Sequence, residues 1–314
     1  MATILITGGT GMIGTRLTQM LAEKGHKIIV LTRDRGKAGK SKGPASFAAW
    51  DIPGDGPGAA GQIDREAVEQ ADFIIHLAGA NVAEGRWTAT RKKEIVDSRV
   101  KTGELLVEAV RSIPNKIKAV ISASAIGCYG PDPSVPNPRP FEEADPPAED
   151  FLGRTVQQWE GAVSPLAEMG RRLVILRVGI VLSKEGGAYK EFKKSFPFRI
   201  APVLGSGKQV ISWIHIDDLC RLFITAMENE AWQGVYNAVA PAPVSNRQLM
   251  KAIAKELGGP FIPAPVPAFA LRIALGEMSV EVLKSTTVSS ARAERAGFSF
   301  SCPTIEKAIH TLEA

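Results

Sequence analysis

The stretch ITGGTGMIG, residues 6 to 14, constrains the fold more than any other part of the chain. Gly9, Gly11 and Gly14 fit the pattern G-x-G-x-x-G, and Gly8 with the last two fits G-x-x-G-x-x-G. An apolar run precedes these glycines and apolar residues at helical spacing follow them, which is the context the motif requires. Glycines there let the backbone approach a pyrophosphate closely, and the helix offers its free N–H groups to the phosphates. The stretch predicts a dinucleotide-binding turn.

Apolar runs and helical patterns alternate along the first 185 residues. Further buried strands are predicted at 27 to 32, 72 to 79, 118 to 125 and 172 to 182. The longest helical patterns run from about 87 to 111 and from 151 to 169. This alternation predicts an α/β fold, a Rossmann-type doubly wound parallel sheet with a smaller mixed C-terminal lobe.

The pattern becomes irregular after about residue 185, which indicates a second, smaller unit. We expect residues 1–185 to form the dinucleotide-binding core, with 212–240 returning to it. Residues 186–211 and 241–314 would then form a substrate-side lobe. Within the core, a loop interrupted by a short strand near Phe47 to Trp50 is expected from 36 to 62. The seven prolines between 130 and 150 indicate an ordered loop, and PFIPAPVPA, 260 to 268, indicates a connector.

Composition narrows the class of protein. The 314 residues are 45% hydrophobic and carry a formal net charge of +5, with basic residues scattered, so nucleic-acid binding is not expected. No run of 18 apolar residues predicts a membrane span. The three cysteines, Cys128, Cys220 and Cys302, lie far apart without a CxxC pair, so neither a disulfide framework nor a metal site is expected. A reducing cytoplasm fits this pattern.

The end of the second strand indicates which nicotinamide dinucleotide is bound. The segment reads VLTRDRGK, and an NAD site usually places an Asp or Glu there for the ribose 2′-hydroxyl. If Thr32 occupies the acidic position, Arg33 follows it and can pair with a 2′-phosphate. If the register is one or two residues later, Asp34 takes the ribose instead. The basic residues favour NADP(H) over NAD(H).

Several motifs occur in the order seen in extended short-chain dehydrogenases/reductases. They are TGGTGMIG, HLAGA (76 to 80), SASAIGCYG (122 to 130), LRVGIVLS (176 to 183) and LGSGKQVISWIHIDDL (204 to 219). The segments NVAEGRWTATRKKEIVDSRVKT (81 to 102), LGEMSVEVL (275 to 283) and AGFSF (296 to 300) resemble the epimerase-like subgroup of unknown substrate, sometimes labelled cell-division-inhibitor-like. The resemblance covers nearly the whole chain and is specific for the fold and the nucleotide rather than for the reaction.

The resemblance implies a set of cofactor-binding residues. They are Gly8, Thr10, Gly11, Met12, Ile13 and Gly14 around the pyrophosphate, Arg33 at the ribose phosphate, Asp51 near the adenine, Leu77, Ala78 and Gly79 beside the ribose, and Ser122 and Ala123 towards the nicotinamide. His215, Asp217 and Asp218 fall where the family joins its two lobes, and we expect them to be structural, with a helix N-cap among them.

The proton-transfer residues of the family are incomplete in this chain. The family uses a Tyr and a Lys four residues apart, and aligning on Glu160 puts Leu152 and Val156 at those positions. The family's Asn falls near Ser98. Ser124 matches the family's hydroxyl residue, and Tyr129 is the only nearby phenol. We therefore expect Ser124 and Tyr129 as catalytic candidates.

Other charged groups are alternative candidates. A buried carboxylate of the proline-rich loop can serve as an acid, because desolvation raises a carboxyl pKa. The carboxylates are Glu142, Glu143, Asp145, Glu149 and Asp150. Arg86 or Arg99 can hold an anionic substrate.

Two functions fit these observations. The first is an NADP(H)-dependent oxidoreductase or epimerase-like protein that acts on an unknown small carbonyl or hydroxyl substrate. The second is an NADPH-binding sensor or scaffold without hydride-transfer turnover, favoured by the absent Tyr and Lys. The resemblance also implies a homodimer through the helices at 87 to 111 and 151 to 169.

Overall fold

A computed structural model of the chain describes residues 1–54 and 61–314. Part of the predicted 36-to-62 loop therefore lies outside the described residues. The strands, in chain order, are β1 (Thr3–Thr7), β2 (Lys27–Thr32), β3 (Ser41–Lys42), β4 (Ala45–Asp51), β5 (Gln62–Ile63), β6 (Phe73–His76), β7 (Ala119–Ala125), β8 (Arg172–Val178), β9 (Ile180–Leu182), β10 (Ile200–Leu204), β11 (Val210–Ile211), β12 (Trp213–His215), β13 (Gly234–Ala238), β14 (Val244–Ser245) and β15 (Ile262–Val266).

The helices connect and cover these strands. They are α1 (Met12–Glu23), α2 (Arg65–Gln70), α3 (Ala89–Ser112), α4 (Phe151–Val163), α5 (Pro165–Glu168), α6 (Gly187–Lys193), α7 (Ile216–Glu228), α8 (Asn246–Leu257), α9 (Ala268–Leu275), α10 (Ser279–Leu283), α11 (Ala291–Arg295) and α12 (Ile305–Glu313). Single 3₁₀ turns lie at Ile126–Cys128, Phe196–Phe198 and Gly276–Met278. The long helices predicted at 87 to 111 and 151 to 169 correspond to α3 and to the pair α4 and α5.

The main sheet has the strand order β13-β8-β7-β6-β1-β2-β4-β3 within the described residues, and β5 pairs with β4. Every neighbouring pair from β13 to β4 is parallel, whereas β3 and β5 run antiparallel to β4. The order reverses at β1, since the chain passes first to β2 on one side and later to β6 on the other. Ligands of such sheets bind at the carboxyl ends of the strands beside this reversal. The predicted fold class is confirmed.

The two faces of the sheet each carry a hydrophobic core. Alternation along β1 sends Ile4 and Ile6 to one face, where they pack with side chains of α1 and α7 such as Leu17 and Phe223. Leu5 points to the opposite face, which is covered by α2, α3 and α5. A third cluster lies outside the sheet and joins α6, α8 and α12. A hydrophobic core on each face thus supports the end of β1 that carries the glycine turn.

Two predicted segments need correction. The strand predicted from 172 to 182 divides at Gly179, where the backbone leaves β8 and continues as β9, which pairs with β12. A Cβ at Gly179 would lie 2.6 Å from the carbonyl oxygen of Ser212, so only glycine permits this crossing. The predicted connector at 260 to 268 contains β15, which pairs in parallel with β10.

The prolines of β15 fit this pairing. The N–H of Ile262 donates to the carbonyl of Arg199, and the carbonyl of Val266 accepts from Gly205, so these alternate residues face the partner strand. Pro263 and Pro265 occupy the intervening positions, where the missing N–H groups face away from β10. Prolines at alternate positions are thus compatible with an edge strand.

Candidate functional site

The glycine turn between β1 and α1 is closely packed. Gly8 has a φ of +69°, and a Cβ on it would lie 2.8 Å from the carbonyl of Leu77. A Cβ on Gly14 would lie 2.4 Å from the oxygen of Gly8 and 2.5 Å from the Cα of Gly9. Larger residues would therefore push the turn away from the end of β6 and the helix away from the turn.

The surface above this turn is open. Thr10 and Gly11 are exposed, and Met12 and Ile13 are half-buried. Gly11 precedes the first residue of α1 and offers no side chain to cap it, so the N–H groups of the first turn of the helix remain available. Such a terminus favours anionic groups. Met12 also lies against Gly186 of the C-terminal half.

The charged side chains of the turn after β2 make different contacts. Arg33 and Asp34 are both exposed. The Asp34 carboxylate accepts from the N–H of Gly36 at 2.9 Å and pairs with Lys37 at 3.2 Å. Lys37 and this N–H hold the pKa of Asp34 below its usual value. Asp34 is thus engaged by its own turn, while Arg35 pairs with Asp51 at the end of β4.

The end of β6 is fixed by a threonine. The Thr7 hydroxyl oxygen accepts from the N–H groups of Leu77 and Ala78, each at 3.1 Å. The same hydroxyl lies 2.8 Å from Nδ1 of His76, which is fully buried. Gly79, the next residue along the turn, is exposed. The predicted ribose-flanking residues therefore lie beside the glycine turn, at one edge of the sheet.

Ser122, Ala123 and Ser124 end the neighbouring strand β7, and all three are buried. The Ser124 hydroxyl donates to Oε1 of Glu160 at 2.6 Å. Glu160 belongs to α4, so this bond joins the strand to the helix that follows the proline-rich loop. The Ser124 oxygen keeps its lone pairs for accepting a hydrogen bond.

Glu160 also holds a buried arginine. Arg177 of β8 donates to both Glu160 oxygens at 2.9 Å, from Nε and from Nη2. Burial opposes the charge of Arg177, but the Glu160 hydrogen bonds outweigh it and raise the pKa of the guanidinium. Nη1 of Arg177 donates to the Tyr129 hydroxyl at 3.0 Å, and that hydroxyl donates to Oδ1 of Asn237 at 2.8 Å. Sequence reasoning missed Arg177, although a charged residue inside an apolar strand pattern is the signal that marks it.

Tyr129 does not have the geometry of a proton donor to a cleft ligand. Its side chain is fully buried, and its ring stacks on Phe141 at a centroid distance of 5.2 Å. Burial raises the pKa of the hydroxyl above its usual value. The Tyr129 hydroxyl thus offers no exposed surface to a ligand in this structure, and we propose a positioning role for it in place of the catalytic one.

Leu152 and Val156, predicted from the sequence at the positions of the family's Tyr and Lys, are apolar packing residues. Leu152 packs against Gly127 in the 3₁₀ turn that follows β7. Val156 is buried in a cluster with Cys128, Tyr129 and Val288. These residues fasten α4 to the sheet but offer no proton.

The acidic candidates of the proline-rich loop are mostly engaged in structure. Asp145 accepts from Arg139 and from the N–H of Glu142, and this N–H and Arg139 hold the pKa of Asp145 below its usual value. Asp150 caps α4 by accepting from Gly153 at 2.7 Å. Glu143 accepts from the N–H of Asn237 at 2.8 Å. These carboxylates order the loop.

The C-terminal half supplies a carboxylate that the sequence did not point to. Burial raises the pKa of Glu281, which pairs with the nearly buried Lys284 at 2.8 Å. The Lys284 ammonium also lies 3.4 Å from the carbonyl oxygen of Tyr129. Lys284 also lies 3.9 Å from Asp150, so the pair places Glu281 close to the loop and to the start of α4.

Among the residues expected from the sequence to be structural, His215 caps a helix and Asp218 accepts backbone hydrogen bonds. His215 caps α7, with its Nδ1 accepting from the N–H of Asp217. The fully buried Asp218 accepts from the N–H groups of Ser301 and Cys302. Arg86 donates to the carbonyl oxygens of Ile273 and Ala274. These contacts join the C-terminal segment to α7 and to the residues that precede α3.

The described residues hold no group of three or more His, Cys, Asp or Glu side chains arranged to bind a metal ion. Across the same residues, none of the helices combines the length and apolar character needed to cross a membrane.

Fold and site together define a Rossmann-type protein of the extended short-chain class. Residues 4–238 match the model of the NAD dependent epimerase/dehydratase family, and the chain belongs to that family. Residues 266–312 match a domain of unknown function, DUF1731. The resemblance drawn from the motifs is thereby confirmed.

Curated relatives span nearly the whole chain. The chain is 34% identical over 312 residues to the chloroplastic "Epimerase family protein SDR39U1 homolog" of Arabidopsis thaliana, covering 99% of this chain and 86% of the relative. It is 32% identical over 309 residues to an epimerase family protein of Mycobacterium leprae, covering 98% and 94%.

Solved structures of similar proteins also cover nearly the whole chain. Human epimerase family protein SDR39U1 (isoform 2), crystallised with NADPH, superposes with a TM-score of 0.84 at 29% identity over 99% of this chain and 98% of that one. A nucleoside-diphosphate sugar epimerase from Corynebacterium glutamicum superposes with a TM-score of 0.76 at 30% identity, over 99% of this chain and 58% of that one.

Proposed function

We propose that the protein binds NADP(H) and acts as an oxidoreductase or epimerase-like enzyme on a small carbonyl or hydroxyl substrate. The observation that carries this proposal is the closely packed glycine turn at the sheet reversal, where any Cβ on Gly8, Gly9 or Gly14 would collide with neighbouring atoms. The human relative crystallised with NADPH supports the same reading.

The proposed contacts follow the carboxyl edge of the sheet. The pyrophosphate would lie on Gly8, Thr10, Gly11, Met12, Ile13 and Gly14, the adenosine half near Arg33 and Asp51, and the ribose and nicotinamide beside Leu77, Ala78, Gly79, Ser122 and Ala123. Each of these residues lies in or directly after the glycine turn or at the end of a parallel strand.

Two features support NADP(H) over NAD(H). The Asp34 carboxylate is bonded within its own turn, so it is poorly placed to accept from a ribose hydroxyl. Arg33 is exposed at the end of β2, where the adenosine ribose is expected, and a guanidinium matches phosphate geometry.

When bound, the nicotinamide supplies a hydride acceptor or donor. Within the protein, Ser124 would orient the reacting oxygen, because its hydroxyl is held in one direction by Glu160, which Arg177 in turn holds. Tyr129 would support this arrangement through the hydrogen bond that its hydroxyl accepts from Arg177.

The alternative is an NADPH-binding sensor or scaffold without hydride-transfer turnover. The observation that favours it is the apolar packing of Leu152 and Val156 at the positions of the missing pair. On this alternative the cofactor would bind and no substrate would be turned over.

We further propose the division into lobes that the sequence indicates. Residues 1–185 would form the nucleotide-binding core with 212–240, which is supported by the entry of β13 into the main sheet. Residues 186–211 and 241–314 would form the smaller lobe, which is supported by the pairing of β10 with β15.

The cellular setting and assembly are also proposals. A reducing, cytoplasmic location is supported by Cys128, Cys220 and Cys302, which are buried and unpaired. A homodimer through α3 and α4 is proposed from the family resemblance. Sedimentation of the purified chain tests the assembly, and a monomer at micromolar concentration contradicts it.

Fluorescence titration with NADPH and, separately, NADH tests the proposed cofactor. We expect tight NADPH binding, weak NADH binding, and a loss of this preference in Arg33→Ala. Arg65→Ala, on the exposed surface of α2, removes the same charge as a matched control. Equal binding of both cofactors to the wild-type chain contradicts the Arg33 assignment.

Turnover is tested by following NADPH absorbance with a panel of carbonyl compounds. Oxidation that is lost in Ser124→Ala supports the enzyme. Tight binding with no oxidation by any member of the panel supports the sensor.

A further inference from the structure

Among the residues that the structure describes, no carboxylate neutralises the charge of Arg99. The residue lies on α3 and is half-buried, and its Nη1 donates at 2.9 Å to the carbonyl of Ile95 in the same helix. Its guanidinium lies over the ring of Trp159 on α4, 4.9 Å from the ring centroid. No carboxylate lies within ion-pair distance of it among the described residues, and burial followed by the charge of Arg91 lowers the pKa of Arg99 to about 10. Buried charges in proteins are usually paired.

Two neighbouring donors also lack acceptors. The Thr7 hydroxyl accepts from two backbone N–H groups, so its own proton is directed to Nδ1 of His76. The proton of the neutral imidazole then lies on Nε2, which is buried and has no hydrogen-bond partner within the described residues. Nε1 of Trp159 is buried and without a partner in the same way. The surroundings of Arg99 are thus rich in donors and poor in acceptors.

The arginine belongs spatially to the proposed cofactor edge. A Cβ built on the exposed Gly79 would lie 3.0 Å from Cζ and 3.2 Å from Nη2 of Arg99. The guanidinium therefore reaches the turn after β6, and the absence of a side chain at Gly79 leaves room for it. Arg99 also contributes to lowering the pKa of His76 at the end of the same strand.

We propose that Arg99 anchors an anion-binding subsite, formed with Trp159 and the Gly79 turn, that takes a phosphate or carboxylate group of a ligand in the cleft. An anionic oxygen would supply the acceptor that these donors lack and would offset the cost of burying the guanidinium. The inference deepens the proposed function by giving the site a chemical preference. The anion has two candidate sources, the cofactor's own phosphates and an anionic substrate.

The test uses Arg99→Met, Arg99→Lys and a matched control, Arg111→Met. Arg111 lies in the last turn of the same helix, is exposed, and carries the same charge. Calorimetry at constant ionic strength gives the Kd of inorganic phosphate alone and of acetate alone, and fluorescence gives the Kd of NADPH alone. We expect Arg99→Met to raise the Kd of at least one of these anions about tenfold or more, because loss of a hydrogen bond to a charged group has an effect of that size. Arg99→Lys should recover part of the affinity, and Arg111→Met should match the wild type.

The pattern of results identifies the source of the anion. A higher NADPH Kd in Arg99→Met assigns the subsite to the cofactor. An unchanged NADPH Kd with weakened phosphate or acetate binding assigns it to a substrate. Phosphate or acetate binding that depends on Arg99 in a chain that binds no NADPH keeps the subsite and removes the proposed function.

The proposal is overturned if every ligand binds Arg99→Met as it binds the wild type, or if the wild type binds none of them. Circular dichroism checks the fold of each variant. Should Arg99→Met not fold, Arg99→Gln keeps a donor for the carbonyl of Ile95 and carries the same expectations.

Discussion

Glu160 and Arg177 form the ionic contact that holds the proposed reaction edge together. Both side chains are largely buried, at 17% and 10% exposed. Glu160→Gln leaves the guanidinium without its counter-charge, so we expect the free energy of unfolding to fall by about 3 kcal/mol. Urea denaturation measures this change. Glu108→Gln, which removes the exposed partner of Arg111, is the control and should change stability by less than about 0.5 kcal/mol.

Tyr129 is assigned to this network rather than to proton transfer. Tyr129→Phe removes one bond to Asn237 and one from Arg177, so we expect a loss of about 1–3 kcal/mol in the free energy of unfolding. The NADPH Kd and any turnover, measured where the variant is fully folded, should remain within about threefold of the wild type. A loss of turnover at unchanged stability would return Tyr129 to the catalytic candidates.

His76 makes stability depend on pH. Burial, followed by the charge of Arg99, lowers the pKa of His76 to about 3 in the folded chain. The unfolded chain binds a proton near pH 6.5, whereas the folded chain does so only near pH 3, so stability falls as the pH is lowered through this window. One such residue lowers the free energy of unfolding by about 2 kcal/mol between pH 7 and pH 5.

Urea denaturation at both pH values measures this effect. His76→Gln should reduce the pH dependence without abolishing it, because burial also lowers the pKa of His215. A pH dependence identical in the variant and the wild type contradicts the assignment.

At the scale of elements, the sequence determines most of the sheet because apolar runs and glycines mark each buried strand. α8 begins with a full capping box, formed by Ser245 and Gln248. The sequence did not predict the division at Gly179, because the pattern stays apolar across it. The cause is the backbone of Ser212, which is distant in the chain. The sequence did not predict β15, because prolines normally indicate a connector.

Gly179 gives the prediction at this scale. In Gly179→Ala, the new Cβ meets a carbonyl oxygen of Ser212 and the side chain of Val239, so we expect a loss of about 1–3 kcal/mol in the free energy of unfolding. Gly161→Ala in α4 is the matched control, because its Cβ would meet nothing within 4 Å. That substitution should stabilise the chain by up to about 1 kcal/mol, since alanine favours a helix more than glycine does. Equal effects of the two substitutions in urea denaturation would contradict the packing argument.

At the scale of the whole molecule, the glycine motif in the sequence points to the proposed cofactor edge, whereas no motif points to the hydrogen-bond network behind the proposed reaction edge. The glycine pattern is local, so residues 6 to 14 reveal it directly. Glu160, Arg177 and Asn237 come from three elements that only the folded sheet brings together. The sequence shows Arg99 as a basic residue, but that no carboxylate of the described ranges pairs with it depends on how α3 packs against α4.

Cofactor binding should stabilise the whole chain, because the proposed contacts lie in the core while Met12 and Gly186 connect that edge to the C-terminal half. NADPH at one hundred times its Kd should raise the free energy of unfolding by about 2.7 kcal/mol, if only the folded chain binds it. Thermal unfolding with NADPH, with NADH and without ligand measures the effect. Arg33→Ala should lose the NADPH increment while unfolding at the wild-type temperature without ligand. A single transition that shifts as a whole would show that both lobes respond to the cofactor, whereas a shift confined to one of two transitions would restrict the effect to one lobe.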